Sequence, residues 1–339
     1  AVAKAELMEE LPQDRFDREE REHREYAERL KRLRAIPEVD RTEEQQRALQ
    51  HMHFPIGRGR IDLDDIGIDR HHHYYFPASP IHEPFASLFT KKPEAALGLV
   101  RDLTNHATKG WHQVQLLERN RMGTPIPVIL EFPWGKQEFW GDWHVYNWFM
   151  GQLAPNALEC ALLALSYWAF KQIESGRPPN DVIRAVVEGN ECYAVLGLAL
   201  VLALEAYDVS ETTFPIVTCQ RLWRHDIARV VQEATRNIDL LGFGFLSRLT
   251  GEKAIAKEFL DSRQSCRREV GELAMRFALT TDDGLRQRFR EVLSRFPDDL
   301  PYEVDEERSN AGATASLKEA AERWAGLGDI KNYRKHQTE

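Results

Sequence analysis

The chain has 339 residues, 42% of them apolar and 29% charged, a composition that excludes a disordered or collagen-like polypeptide. Lys and Arg total 45 against 54 Asp and Glu, a formal net charge of −9, which argues against a general binder of the nucleic-acid phosphate backbone. A folded chain of this size removes roughly three quarters of its unfolded surface from water, so neither disulfides nor a structural metal is needed for stability.

Residues 1–10 carry Lys4, Glu6, Glu9 and Glu10 and no long apolar stretch, so no signal peptide is expected. Residues 14–34 interleave both charge signs, with Glu25 and Arg29, and Glu28 and Arg32, one turn apart. This reads as a long exposed helix whose thin apolar stripe is Phe16, Tyr26, Leu30 and Leu33. Pro37 ends it, and a short helix runs from Thr42 to about His51. Residues 1–54 are thus expected to form a charged helical arm.

Between Pro55 and Pro84 there is no sustained period, only Gly, Asp, Pro and histidines, which reads as loop with at most one strand at 74–76. Pro93 then opens a helix over 94–110, with Ala95, Leu99, Leu103 and Ala107 repeating every four residues. Residues 128–132 and 137–140, around Pro133-Trp134-Gly135-Lys136, read as one hairpin. The expected second unit, 55–150, is therefore irregular loop, helix and hairpin.

From 151 to 300 nearly everything is helical: 155–174, 181–188 capped by Asn180, 191–207, 215–235, 251–279 and 282–296. The uncharged run from Cys192 to Leu204, bounded by Glu191 and Glu205, is shorter than the ~20 residues that cross a bilayer and reads as a core helix. Trp168, Leu196, Leu200 and Leu204 are expected to be buried. Amphipathic helices joined by short turns imply a mainly α fold, a stacked α-α, solenoid-like array with one small β-hairpin and a long charged N-terminal helix. Residues 301–312 read as a linker before a last helix at 316–327, giving a fourth unit, 301–339. Cys160, Cys192, Cys219 and Cys266 form no CxxC pair and read as buried thiols of a reducing, cytoplasmic protein.

No complete catalytic motif is present. The segment 242–244 lacks the third glycine and preceding strand of a dinucleotide fingerprint, and there is no P-loop, so no cofactor is expected. His71, His72, His73, His82 and Glu83 are the candidate metal ligands. Three consecutive histidines in extended chain alternate faces, however, so at most two converge. Asp142 with His144, and His225 with Asp226, are candidate acid/base pairs, although neighbours on a helix do not face each other. Trp111, Trp134, Trp140, Trp143 and Trp148 form an aromatic cluster suited to gripping a peptide or filling a joint. Arg221, Arg224 and Arg229, around Trp223, are the best candidate for a positive surface.

The run from Gly141 to Glu205, with Trp143, Trp148 and Phe149 ahead of a proline-led helix and then VVEGNECYAVLGLAL, resembles the helical region of very large bacterial ATP-binding proteins. These include NTPases implicated in defence against phage. The resemblance spans about residues 70–250; it implies a helical array that senses ligands or carries partners, with the P-loop elsewhere, and no catalytic residue carries over. The expected function is a non-catalytic scaffold or sensor with a protein or peptide partner and no membrane, using Trp140, Trp143, Trp148, Arg221 and Arg224. Two alternatives stand beside it: a metal-dependent hydrolase built on His71 or His73, His82, Glu83 and His144, and a nucleic-acid-binding accessory through Arg221 and Arg224.

Overall fold

The structure is a computed structural model and describes residues 2–51, 65–69, 73–117, 123–236 and 251–333. It is mainly helical, with one two-stranded antiparallel hairpin. The helices, in chain order, are α1 (Val2–Leu7), α2 (Pro12–Ala35), α3 (Glu43–His51), α4 (Phe85–Lys91), α5 (Pro93–Leu117), α6 (Trp143–Tyr146), α7 (Asn156–Glu174), α8 (Pro179–Val187), α9 (Tyr193–Ala206), α10 (Phe214–Val217), α11 (Gln220–Arg236), α12 (Glu252–Asp261), α13 (Val270–Ala278), α14 (Asp283–Ser294) and α15 (Ala311–Gly326). Strands β1 (Val128–Phe132) and β2 (Gly135–Phe139) lie between α5 and α6.

Consecutive helices stack: α4 on α5, α7 on α8, α8 on α9, α13 on α14 and α14 on α15. The axis of the array is α9. Its sequence has no polar face, and every side chain from Tyr193 to Leu204 is buried, because α6, α7, α8, α10, α11 and α13 all pack around it. Leu196, Leu200 and Leu204 are fully buried and Trp168 nearly so, as expected. Among the described residues no helix is long and apolar enough to cross a membrane.

Beyond Pro12 no residue of the N-terminal helix α2 is buried, as its mixed charges imply, and most of those from Glu19 onward are exposed, with Arg32 3.5 Å from Glu28 and Arg18 3.3 Å from Glu22. It is tacked to the body at its base, where Gln113 of α5 accepts from the Gln13 N–H. Residues 65–69 lie across α5 and pair with the arm, Glu9 N–H donating to the Gly67 carbonyl and Asp69 N–H to that of Leu7. Gly110 permits this crossing, since a Cβ there would collide with the Ile66 carbonyl.

Four local expectations change. The stretch at 74–76 is no strand: Tyr74 and Tyr75 belong to a one-turn 3-10 segment, His73–Tyr75, and Phe76 follows it in irregular chain, and α4 comes next unannounced. Of the expected α5 stripe Leu103 and Ala107 are buried, but Ala95 is exposed and Leu99 half-buried, and Ala96, Val100 and Trp111 complete the buried face instead. The expected helix 215–235 is divided at Thr218 into α10 and α11. The expected helix 251–279 breaks between α12 and α13, because buried Arg229 draws the carbonyls of Ser265 and Arg268 to its guanidinium, and Glu205 accepts from Ser265 N–H.

Candidate functional site

The hairpin delivers Trp140. Val128 pairs with Phe139, Leu130 with Gln137 and Phe132 with Gly135, and one face, Val128, Leu130, Phe132 and Phe139, is buried. The chain then leaves β2 at Trp140, whose N–H donates to the Glu191 carbonyl at 2.7 Å while its carbonyl accepts from Tyr193 N–H at 3.0 Å. Trp140 is thereby bridged in parallel to Cys192 at the start of the central helix.

Around this residue lie two depressions of about 410 and 500 Å³ that share Trp140 and Glu191. One polar face of α5, Asp102, Asn105, His106, Lys109 and His112, lines the first, with Lys4 and Met8 of the arm opposite. The second runs beside Gln137 and Glu138 against Gly189, Asn190 and Glu191. That 189–191 wall is fastened to α5. Asn105 accepts from Glu191 N–H at 2.8 Å and donates to the Gly189 carbonyl at 3.0 Å, while Thr104 donates to Asn190 Oδ1 at 2.9 Å. Gly189, at φ 78°, supplies the left-handed turn that lets the wall reverse.

Trp140 stacks obliquely on His112, ring centroids 4.3 Å apart. Burial lowers the His112 pKa, and the Glu138 carboxylate partly offsets this, so the imidazole favours its neutral, stacking form. The Lys4 ammonium sits 2.7 Å from Asp102 and the His106 Nε2 lies 3.0 Å from the Glu9 carbonyl, closing the arm end of the groove.

The five tryptophans do not form one cluster. Trp111 and Trp148 are core, Trp148 donating to the Leu153 carbonyl. Trp134 stacks on Phe132, Trp143 is exposed, and Trp140 alone among them lines the groove.

The arginines depart furthest from expectation. Rather than forming a positive surface, Arg221 is buried and donates to the carbonyls of Ile126 and Tyr302. Arg229, fully buried, pairs with Asp226 at 2.7 Å. Arg224 meets Glu307 at 3.1 Å and Glu303 at 3.8 Å. His225 and Asp226 do not pair with each other: His225 Nε2 meets Glu303 Oε1, and Asp226 accepts from Val270 N–H. Both glutamates come from residues 301–310, the stretch that reads as a linker. Here it runs back as a strap whose backbone bonds Thr124 and Ile126. Burial pushes the Glu303 carboxyl up, but the His225 hydrogen bond and the nearby charges of His225, Arg224 and Arg221 bring it below its ordinary value.

Asp142 is the N-cap of α6, accepting from Val145 N–H at 3.0 Å, and burial raises its pKa. It thus has a structural partner, with His144 near enough to lower that pKa slightly. Among the described residues no group of three or more His, Cys, Asp or Glu gathers in a metal-binding arrangement. His71 and His72, with the His73 side chain, lie outside the described residues. Buried His82 places Nε2 3.1 Å from the Lys253 ammonium, and Glu83 accepts from the backbone N–H and hydroxyl of Ser87 at the start of α4. Cys160, Cys192 and Cys219 are buried, and burial pushes the Cys160 thiol to about 12 and that of Cys192 to about 11.

Sequence reasoning missed the groove's floor. The signal was present in Asp102, Asn105, His106, Lys109 and His112, spaced three and four apart on α5. No protein-family model matches the chain, and no curated protein matches its sequence.

Proposed function

We propose that the protein is a non-catalytic helical module that binds a segment of a protein partner in the groove around Trp140. The observation that carries this reading is the joining of three sequence-distant segments, the polar face of α5, the end of β2 and the 189–191 wall, around a half-buried tryptophan stacked on His112. A stacked aromatic flanked by fixed hydrogen-bonding groups is how a surface orients a peptide. The clamps from Asn105 and Thr104 hold the wall in place before any ligand arrives, which lowers the entropic cost of binding. The cations that a nucleic-acid contact would use, Arg221 and Arg224, are engaged with the Ile126 carbonyl and with a carbonyl and carboxylates of the strap. Service as the sensor part of a larger nucleotide-driven defence assembly belongs to this proposal through the resemblance of residues 141–205.

Selection from a randomised peptide library displayed on phage tests it, run in parallel on the protein and on Trp140→Ala. Peptides enriched on the first and not on the second support the reading. Equal enrichment on both, or none on either, overturns it. The substitution leaves the backbone bonds of residue 140 available, so loss of binding reports the side chain.

A further inference from the structure

The hairpin ends in an edge that is used at one residue and then left open. In the antiparallel ladder the backbone N–H and C=O groups of Phe132 and Gly135, Leu130 and Gln137, and Val128 and Phe139 point at each other, which directs those of Lys136 and Glu138 away from β1. Trp140 continues this alternation, and there the outward groups are taken up by Glu191 and Tyr193. That rudimentary third strand stops at once, because Gly189 turns the chain and Asn105 holds it against α5. Among the described residues the sheet has only two strands, and the outward backbone groups of Lys136 and Glu138 meet no backbone partner. The depression of about 500 Å³ lies along this edge.

We infer that the outer edge of β2 takes a single extended peptide as a further strand, with a basic side chain set beside Trp140, Glu138 and Glu191. This rests on the reading of the groove as a protein-binding site and names the form of its ligand. Strand addition satisfies the free edge with main-chain bonds, and the flanking side chains supply selectivity. Lys136 and Glu138 are both exposed, on the solvent face of the hairpin and two positions apart. A paired strand therefore places an acidic residue opposite Lys136 and a basic one opposite Glu138. Glu191 and the face of Trp140 add a second carboxylate and an aromatic surface for the cation. The 189–191 wall beside the edge leaves a slot for one chain rather than for a second hairpin with its own flanking helices.

The probes are the peptides Thr-Val-Arg-Val-Glu-Val-Thr and Thr-Val-Glu-Val-Arg-Val-Thr, capped at both ends, titrated to about 1 mM against the isotope-labelled full chain. The expected result is that one of the two shifts the amide resonances of Lys136 and Glu138 and slows their hydrogen exchange. N-methylation of that peptide at one set of alternate residues should weaken binding by about tenfold or more, and at the other set leave it unchanged. Glu138→Pro, which deletes an outward N–H and no ladder bond, should abolish binding, while Glu138→Lys should reduce it with the fold intact. Shifts confined to His112 and Trp140, with all N-methylated forms binding equally, would overturn strand addition and leave the groove reading standing. Dimerisation without peptide that Glu138→Pro removes would make a second copy the occupant and overturn the inference. Failure of both peptides to bind would also overturn it, while the library selection judges the groove separately.

Discussion

His225 and Glu303, 78 residues apart in sequence, meet through Nε2 and Oε1 inside the protein, and this contact fastens the acidic strap to α11. His225 is only 2% exposed, so removing the carboxylate leaves a buried imidazole and half of the Arg224 pairing without a partner. Glu303→Ala should cost on the order of 3 kcal/mol at neutral pH. The sign with pH follows from the depressed Glu303 pKa: its contribution is present above the ordinary value of 4.5 and is lost as pH falls through the folded value. Urea unfolding at pH 7 and pH 3 checks this; a gap between variant and wild type that does not shrink in acid contradicts it.

Glu159 titrates in the opposite sense. It is 8% exposed in the first turn of α7; burial pushes its carboxyl to about 7, only partly offset by its bond from Ala154 N–H. A carboxyl raised from 4.5 to about 7 makes the fold progressively less stable across that window, by about 3 kcal/mol once fully ionised. Glu159→Gln should therefore match wild type near pH 4 and exceed it above pH 7. Equal denaturation midpoints at pH 8 would refute this.

Leu200 lies midway along α9 and is fully buried. Leu200→Ala should destabilise by about 2–5 kcal/mol, the lost transfer energy plus an incompletely relaxed cavity. Denaturant titration reads this as a lower midpoint at unchanged slope. A loss below about 1 kcal/mol would mean that the central helix is not tightly packed.

Gly110 tests the seating of residues 65–69 on α5. Alanine is favoured over glycine in a helix interior by about 1 kcal/mol. Here the methyl group would displace the Ile66 carbonyl. Gly110→Ala should lower stability and speed hydrogen exchange at the Glu9 and Asp69 amides, which bond the carbonyls of Gly67 and Leu7. A stabilised variant with unchanged exchange would contradict the crossing.

What could be read from the chain alone depended on how local its cause was. The apolar run from Cys192 to Leu204 announced a buried helix because nothing polar interrupts it, and the hairpin was marked by its Pro-Trp turn. The break between α12 and α13 was not legible, because Arg229 and Glu205, distant in sequence, impose it. Arg221 and Arg224 looked like a surface for the same reason: Tyr302 and Glu307, whose carbonyl and carboxylate they meet, lie about 80 residues further on, in a strap whose composition is that of a linker. Trp140 stood out by residue type, and the structure places it on the lining of both depressions. Its partner His112 and the 189–191 wall come from elements joined to it only in the folded chain.

The central claim, that Trp140 anchors a peptide, is met most directly by calorimetric titration of a selected peptide into the protein and into Trp140→Ala. The account predicts that the variant, less stable for the loss of a half-buried ring but folded at the temperature of the titration, binds at least about tenfold more weakly, a loss of about 1.4 kcal/mol or more. Equal affinity for the two proteins would contradict it.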